Sequence, residues 1–418
     1  MEVLSVMGGA PLAGTVSIHG AKNSVLPILA AAVLCREPCV LHNCPDIEDV
    51  QNPVRILTAL GCHVARAGST LTVDAHGLAS CNVPEVLAQK MRSSVLFLGA
   101  LAARLGCAEI PLPGGCPLGA RPVDLHIRAL CSMGAEADAA DGCIHCCAGA
   151  LHGAEIALPF PSVGATENAI LAATAAQGEV IIENAAMEPE IADLIGFLKS
   201  AGAQIDGAGT RRIRVRGGAP LYGATYTILP DRIETATYLC AAAACGGDVT
   251  LRRTAPQTLA PVISTLRAAG CKITQRGTAL RIESSGRLRA PGEIVTAPYP
   301  GFPTDAQAPM MAALLRAEGT TCFSETIFEG RLHHAAQLQK MGADIAVCAQ
   351  QARVHGVRTL HGAALLAEDL RGGAAMVIAA LAAEGNSLIF GVKHIKRGYD
   401  NLEGMLRKLG AEIKYVEI

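Results

Sequence analysis

The 418-residue chain contains no tryptophan, and aromatic residues make up only 3% of it. Half of its residues are hydrophobic all the same, so its cores must be built mainly from Ala, Leu, Ile and Val. Net charge is also scarce. Thirty-five Lys and Arg against 37 Asp and Glu leave a formal charge of −2, which offers no footprint for nucleic acid or an anionic membrane. Long apolar runs are missing: "SVLPILAAAVLC" is 12 residues, and a helix needs about 20 to span a bilayer. The start, "MEVLSVMGGAPLAG", has neither a basic n-region nor an apolar h-region, so no signal peptide is expected. There is no G-x-x-x-x-G-K-[ST], and no G-x-G-x-x-G placed after a strand. P-loop and Rossmann nucleotide binding are therefore without support.

Cysteine, by contrast, is plentiful. The sixteen cysteines are scattered through apolar segments of a large chain, and they read as buried free thiols in a reducing cytoplasm. "CIHCC" (143–147) contains a C-x-x-C and a His, but a zinc site needs four ligands and no second pair matches it. Its alternation suits a strand of structural thiols. "HH" at 333–334 falls on a predicted helix without a carboxylate-bearing metal pattern and reads as core or surface histidines. No metal is expected.

What the chain does have is a repeat. "LGCHV", "MGAEA", "AGAQI", "AGCKI", "MGADI" and "LGAEI" place glycines at Gly61, Gly134, Gly202, Gly270, Gly342 and Gly410, separated by 73, 68, 68, 72 and 68 residues. Spacing this regular marks six copies of one unit. Each glycine ends an amphipathic helix and precedes a strand. A second helix recurs earlier in each unit, as in "NSVLPILAAAVL" and "GGAAMVIAALAAEG", and is apolar nearly all round, hence buried. One unit reads strand–helix–strand–helix–strand–strand. Length predicts two domains of roughly 200 residues, so three units each is the simplest division. A solenoid is the second choice, because polar capping repeats are missing.

Helix N-termini disfavour cations, yet Lys22, Arg92, Arg121, Arg232, Arg331, Arg371 and Arg397 all stand where a helix is predicted to begin. An anionic ligand at those starts would reconcile the pattern, since backbone N–H groups and side-chain cations would then act together. The expectation is a cleft between two domains, lined by helix starts and suited to polyanionic substrates. "LPGGCPLGARPVDLH" (112–126) adds a cysteine, Cys116, on a glycine-rich loop, with Arg121 and Pro122 at the following helix start.

In "GAKNSVLPILAA", "PGGCPLGARPVDLHI", "PSVGATENAILAA", "LPDRIETATYL", "FPTDAQA", "TIFEGR", "EDLRGGA" and "IKRGYD", in that order, the chain closely resembles the UDP-N-acetylglucosamine enolpyruvyl transferase (1-carboxyvinyltransferase) family over essentially its whole length. The resemblance implies an α/β fold of two inside-out α/β barrels, each of three βαβαββ units. It places the first domain at 22–229 and the second at 1–21 with 230–418. It implies transfer of the enolpyruvyl group of phosphoenolpyruvate to the 3′-hydroxyl of UDP-N-acetylglucosamine with release of phosphate. That is the first committed step of peptidoglycan synthesis, and so bears on cell-wall formation, cell shape and division. The enzyme would be cytoplasmic, without cofactor, metal, nucleic-acid or membrane partner, and a target of fosfomycin.

By resemblance Cys116 donates the proton to C3 and forms a covalent adduct, as a thiol among cations is reactive. Lys22, Arg121 and Arg397 match residues that hold the phosphate of phosphoenolpyruvate, with Asn23 beside them, and Arg331 and Arg371 match those on its carboxylate side. Asp305 matches the candidate general base. Asn23, Arg92, Arg121, Pro122, Val123, Asp124, Leu125, Ser162, Val163, Gly164, Asp305 and Ile327 match the nucleotide-sugar contacts. Phe160 stands where some members carry a lysine that touches the UDP diphosphate. Two alternatives remain at this point: a shikimate 3-phosphate enolpyruvyl transferase, which lacks the "PGGC" loop, and a weakly catalytic paralogue that binds UDP-sugar as a regulator.

Overall fold

A computed structural model describes residues 1–113 and 122–418, so Cys116 and Arg121 lie outside the described residues. The described chain gathers into two compact units. One runs from Gly20 to Leu229, and the other joins Met1–His19 to Pro230–Ile418.

The first unit repeats one plan around three buried helices. Its last copy is complete in sequence: strand His152–Ala157, helix Val163–Ala173, strand Gln177–Glu183, helix Pro189–Ser200, then strands Gln204–Asp206 and Arg212–Arg216. These four strands form one sheet, with the first strand parallel to Gln177–Glu183 and the rest antiparallel. The first copy begins with helix Lys22–Ala31 and takes its parallel edge strand, Thr225–Thr227, from the far end of the unit. In the middle copy that edge is reduced to a single bridge between Asn82 and Glu109 beside a three-stranded sheet.

The second unit has three four-stranded sheets, and the chain's N-terminus completes two of them. Glu2–Met7 lies antiparallel between Asn386–Phe390 and Glu412–Glu417, and Leu12–Ser17 runs parallel to Gly247–Arg252. Three helices pack together at its centre: Arg232–Cys245, Gln307–Leu314 and Leu370–Ala382. Every residue of Leu370–Ala382 is buried. A helix apolar all round must be enclosed on all sides, and here sheets and outer helices enclose it.

The six repeat glycines all have positive φ, from 90° to 108°. Each lets the next residue's N–H turn back onto a leucine carbonyl in the helix before it. The bonds are Cys62 to Leu57, Ala135 to Leu130, Ala203 to Leu198, Cys271 to Leu266, Ala343 to Leu338 and Ala411 to Leu406, at 2.9–3.4 Å. This is one helix stop used six times. The expectation of buried thiols needs correction. Cys131, Cys147 and Cys348 are exposed, because they fall on the outward face of their helix or strand; all fifteen described cysteines are free.

The stop predicts a graded mutational response. A Cβ at Gly270 meets nothing within 4 Å, whereas one at Gly61 would sit 2.3 Å from the Gly77 carbonyl oxygen. Gly270→Ala should therefore cost only backbone strain, about 1–2 kcal/mol, and Gly61→Ala clearly more. Urea unfolding of the two variants checks this, and equal losses would contradict it.

Candidate active site

In the second unit the starts of the three buried helices meet. Asp231 caps Arg232–Cys245 by accepting from the N–H groups of Ile233 and Glu234 at 2.7 and 2.9 Å. Asp369 caps Leu370–Ala382 by accepting from Arg371 and Gly372 at 2.9 and 3.1 Å. Asp305 lies in the single turn before Gln307–Leu314. Its Oδ1 accepts from the guanidinium of Arg331, and its Oδ2 accepts from that of Arg371 at 3.1 Å. Both guanidiniums are buried. Arg331 also donates to the Thr304 carbonyl at 3.2 Å, and Arg371 lies over the Tyr399 ring. Burial opposes the charge of Arg371, but Asp305, Tyr399 and Asp231 outweigh it and hold the guanidinium firmly ionised. Ile327 sits on a loop pinned by buried Glu325, whose Oε1 accepts from the Ile327 and Phe328 N–H groups at 2.9 and 3.2 Å.

In the first unit, Lys22 opens its helix with neither a capping side chain before it nor an acid in its first turn. Its ammonium lies 2.6 Å from Oδ2 of buried Asp49, in the first turn of helix Glu48–Ala59. Removing one partner of such a pair costs about 3–5 kcal/mol, so the pair with Asp49 gives Lys22 a part in holding the fold. Asn23 follows it on the same turn. Arg92 also opens its helical turn uncapped. It donates to the Pro122 carbonyl at 3.0 Å, which joins it to Val123, Asp124 and Leu125 at the next helix start. Ser162 caps Val163–Ala173 through the Ala165 N–H. At Gly164 a Cβ would lie 2.9 Å from Cε1 of His126, so only glycine lets that ring approach the helix start. The adjoining cavity, about 460 Å³, is lined by Leu125, Arg128, Ile156 and Pro159 among others.

Asn168 fixes this corner. Its Oδ1 accepts from Gly99 N–H at 2.6 Å, and its Nδ2 donates to the Val95 carbonyl at 3.0 Å and to Nδ1 of His126 at 2.7 Å. Three helical segments are tied by one amide whose hydrogens are both used. Burial, reinforced by nearby Arg92, pushes the His126 pKa down to about 4.

Three sequence expectations change here. Arg331 does not begin a helix: it lies in a turn, and the helix starts at Ala335. Arg397 ends a helix, Val392–Lys396, instead of opening one. The next helix waits until Leu402, because Asn401 adopts the left-handed conformation and caps Gly404. Arg232 and Arg371 do begin helices, but Asp231 and Asp369 already supply carboxylates there. Of these cations, only Lys22 and Arg92 among the described residues stand at a helix start without a capping side chain. The "HH" pair lies in the turn before the helix, with His334 buried and His333 2.9 Å from Oδ2 of Asp369. No group of three or more His, Cys, Asp or Glu among the described residues is placed to hold a metal.

Sequence reading missed Asp49, His126, Asn168, Asp231 and Asp369. A usable signal existed for two of them. "LPDRIETA" and "AEDLRGGA" place an aspartate one and two residues before the arginine of a buried helix, which is the N-cap position. Asp49 and Asn168 act through tertiary contacts and left no local signal.

The profile of the EPSP synthase (3-phosphoshikimate 1-carboxyvinyltransferase) family matches residues 6–414. The UDP-N-acetylglucosamine 1-carboxyvinyltransferase 2 of Caldanaerobacter subterraneus is 46% identical over 99% of both chains. The UDP-N-acetylglucosamine 1-carboxyvinyltransferase 1 of Carboxydothermus hydrogenoformans is 47% identical over all of this chain and 99% of its own. This chain belongs to the UDP-N-acetylglucosamine 1-carboxyvinyltransferase family. Among solved structures, the enolpyruvyl transferase NikO of Streptomyces tendae superposes with a TM-score of 0.90 at 28% identity, covering 99% of each chain. An EPSP synthase of Acinetobacter baumannii superposes with 0.75 at 18% identity, over the full length of both, and shares the fold. The architecture is thus that of the enolpyruvyl transferases, two inside-out α/β barrels of three βαβαββ repeats each.

Each unit of this family member carries one buried neutral histidine. His334 resembles His126 in that burial lowers its pKa to about 4. Below the ordinary value of 6.5 the unfolded chain takes up these protons and the folded chain does not. Stability is therefore full above pH 6.5 and declines as pH falls toward 4, by about 3 kcal/mol per histidine over the whole window. Urea midpoints taken from pH 7.5 to 5 should fall, and more gently in His126→Gln. A flat profile for the wild type would contradict this.

Proposed function

We propose that this chain transfers the enolpyruvyl group of phosphoenolpyruvate to the 3′-hydroxyl of UDP-N-acetylglucosamine, releasing phosphate in the first committed step of peptidoglycan synthesis. The observation that carries the reading is identity of 46–47% along the whole chain to enzymes of that name. The shikimate 3-phosphate alternative draws only on the broad family profile and on structures at 18–19% identity. Both substrates of the proposed reaction belong to the cytoplasm, where we place the enzyme. No helix among the described residues is long and apolar enough to cross a membrane.

The reaction is an addition followed by an elimination. C3 of phosphoenolpyruvate gains a proton while the sugar oxygen attacks C2; then C3 loses a proton and phosphate leaves. We assign the C3 proton to Cys116, the phosphate to Lys22, Arg121 and Arg397, and the substrate carboxylate to Arg331 and Arg371. Charge-assisted contacts of this kind are each worth about 1.5–3 kcal/mol. Asp305 takes the hydroxyl proton. Its present partners support that role: the guanidiniums it accepts from are the ones assigned to the substrate carboxylate. An arriving carboxylate competes for those donors, and Asp305 is released to accept from the sugar hydroxyl. Around the nucleotide, Arg92 and the Pro122–Leu125 start supply a cation and backbone groups.

The reading is tested by phosphate release from phosphoenolpyruvate with UDP-N-acetylglucosamine or shikimate 3-phosphate as acceptor. Release with the sugar nucleotide alone is expected, and release with shikimate 3-phosphate alone would overturn it.

The exchange at Asp305 makes a sharper prediction. Asp305→Asn should lower kcat by about 10²-fold or more, the usual weight of a general base. It should leave phosphoenolpyruvate affinity equal or tighter, because the arginines lose a competing anion. A variant with normal kcat and weakened phosphoenolpyruvate binding would reverse the assignment.

A further inference from the structure

His333 lies two residues beyond Arg331, and both of its ring nitrogens face acceptors. Nδ1 is 2.5 Å from the Gly330 carbonyl oxygen, and Nε2 is 2.9 Å from Oδ2 of Asp369. Carbonyl and ionised carboxylate oxygens accept hydrogen bonds and donate none, and a neutral imidazole carries a single N–H. With the Nδ1 hydrogen spent on the Gly330 carbonyl, a neutral ring would turn its Nε2 lone pair toward a carboxylate oxygen 2.9 Å away; Nε2 is not aligned for a hydrogen bond, but that ion-pair distance favours the imidazolium.

The other oxygen of Asp369 caps the helix that carries Arg371. One carboxylate thus joins two elements: the turn bearing Arg331 through His333, and the helix bearing Arg371 through its first N–H groups. These elements are nearly in contact, since a Cβ at Gly372 would lie 3.0 Å from Cβ of His334.

The surrounding charges favour the same state. Asp369 and, more weakly, Glu368 attract the imidazolium from the neighbouring element. On its own turn, Arg331 is occupied by Asp305. His334, whose ring centroid is 6.4 Å away, is held neutral by burial. From helix Val392–Lys396, His394 also feels Asp369 and Glu368, but burial, Lys393 and Arg397 disfavour its charged form. The closeness of Asp369 raises the His333 pKa above 6.5 despite partial burial. Its stabilisation is therefore full below that value and is lost as pH rises through the higher folded pKa.

Resting on the function proposed above, we propose that His333 is a positioning residue: as an imidazolium it holds Arg331 and Arg371 in register on Asp305, and its deprotonation weakens phosphoenolpyruvate binding. It touches no substrate. Its effect reaches the reaction through the two arginines that take the substrate carboxylate.

Two measurements on the full chain decide this. Nitrogen-15 NMR of the histidine rings should show both His333 nitrogens protonated at pH 6, with titration above 6.5. A ring that is neutral at pH 6, or that titrates at or below 6.5, would overturn the proposal, whatever the enzyme's activity. In kinetics, the KM for phosphoenolpyruvate should rise about tenfold from pH 6.5 to 9, roughly the loss of one charge-assisted contact. The KM for UDP-N-acetylglucosamine should show no matching step. His333→Gln keeps an N–H donor but does not titrate, so its phosphoenolpyruvate KM should lack the step. If that variant fails to fold, His333→Met should give a raised and pH-independent KM. Superimposable wild-type and variant profiles would overturn the proposal. A wild type with no transfer activity would remove the reaction and the coupling with it, and leave the NMR result standing.

Discussion

Two buried guanidiniums share one carboxylate, and much of the second unit is arranged to keep them there. Arg331 and Arg371 come from a turn and a helix that are 40 residues apart in sequence, and Asp305 comes from the start of a third element. A buried arginine is tolerable only where it is paired and hydrogen-bonded. Arg331 is held further by the Thr304 carbonyl and Arg371 by the Tyr399 ring it lies over. In the structure the carboxylate that completes this cluster is that of Asp305, and in the function proposed above a substrate carboxylate competes for the same donors.

The repeat explains how helix starts come to be gathered in each unit. Each unit ends its outer helix at a positive-φ glycine and begins its inner helix near its neighbours' inner helices. Inner-helix starts bring N–H groups, capping aspartates and cations to one end of a barrel. The two barrels use that end differently. In the first, Lys22 and Arg92 stand at starts without side-chain caps, and Asp49 and the Pro122 carbonyl anchor them laterally. In the second, Asp231 and Asp369 cap the helices directly, and the arginines lean on Asp305.

Much of this was legible in the sequence, because it is periodic or local. Six glycines at near-constant spacing exposed the repeat, and the stop they encode is the same backbone turn each time. All-round apolarity marked the inner helices as buried. The cations were visible, but their placement was not. A helix was read onto Arg331 and Arg397 because the residues after them are helix-compatible. The left-handed Asn401 and the turn at 330–334 answer to tertiary packing that no window of sequence contains. His333 and His334 show the same limit. As a dipeptide they resemble a pair of incidental histidines, yet Asp369, 36 residues beyond His333, favours the charged form of one and burial favours the neutral form of the other. Cys116, which the resemblance singles out as the proton donor, falls outside the described residues, and its part in the account rests on that resemblance.

The central claim is addition of an acceptor hydroxyl to phosphoenolpyruvate followed by elimination of phosphate, and its signature is proton traffic at C3. The most direct measurement is to run the reaction with UDP-N-acetylglucosamine in deuterium oxide and examine the product by mass spectrometry and proton NMR. The account predicts an enolpyruvyl ether on the 3′-oxygen with deuterium in its methylene group, because C3 becomes a methyl group before it loses a proton. A product with no deuterium at that carbon, or phosphate released without an enolpyruvyl ether, would contradict it.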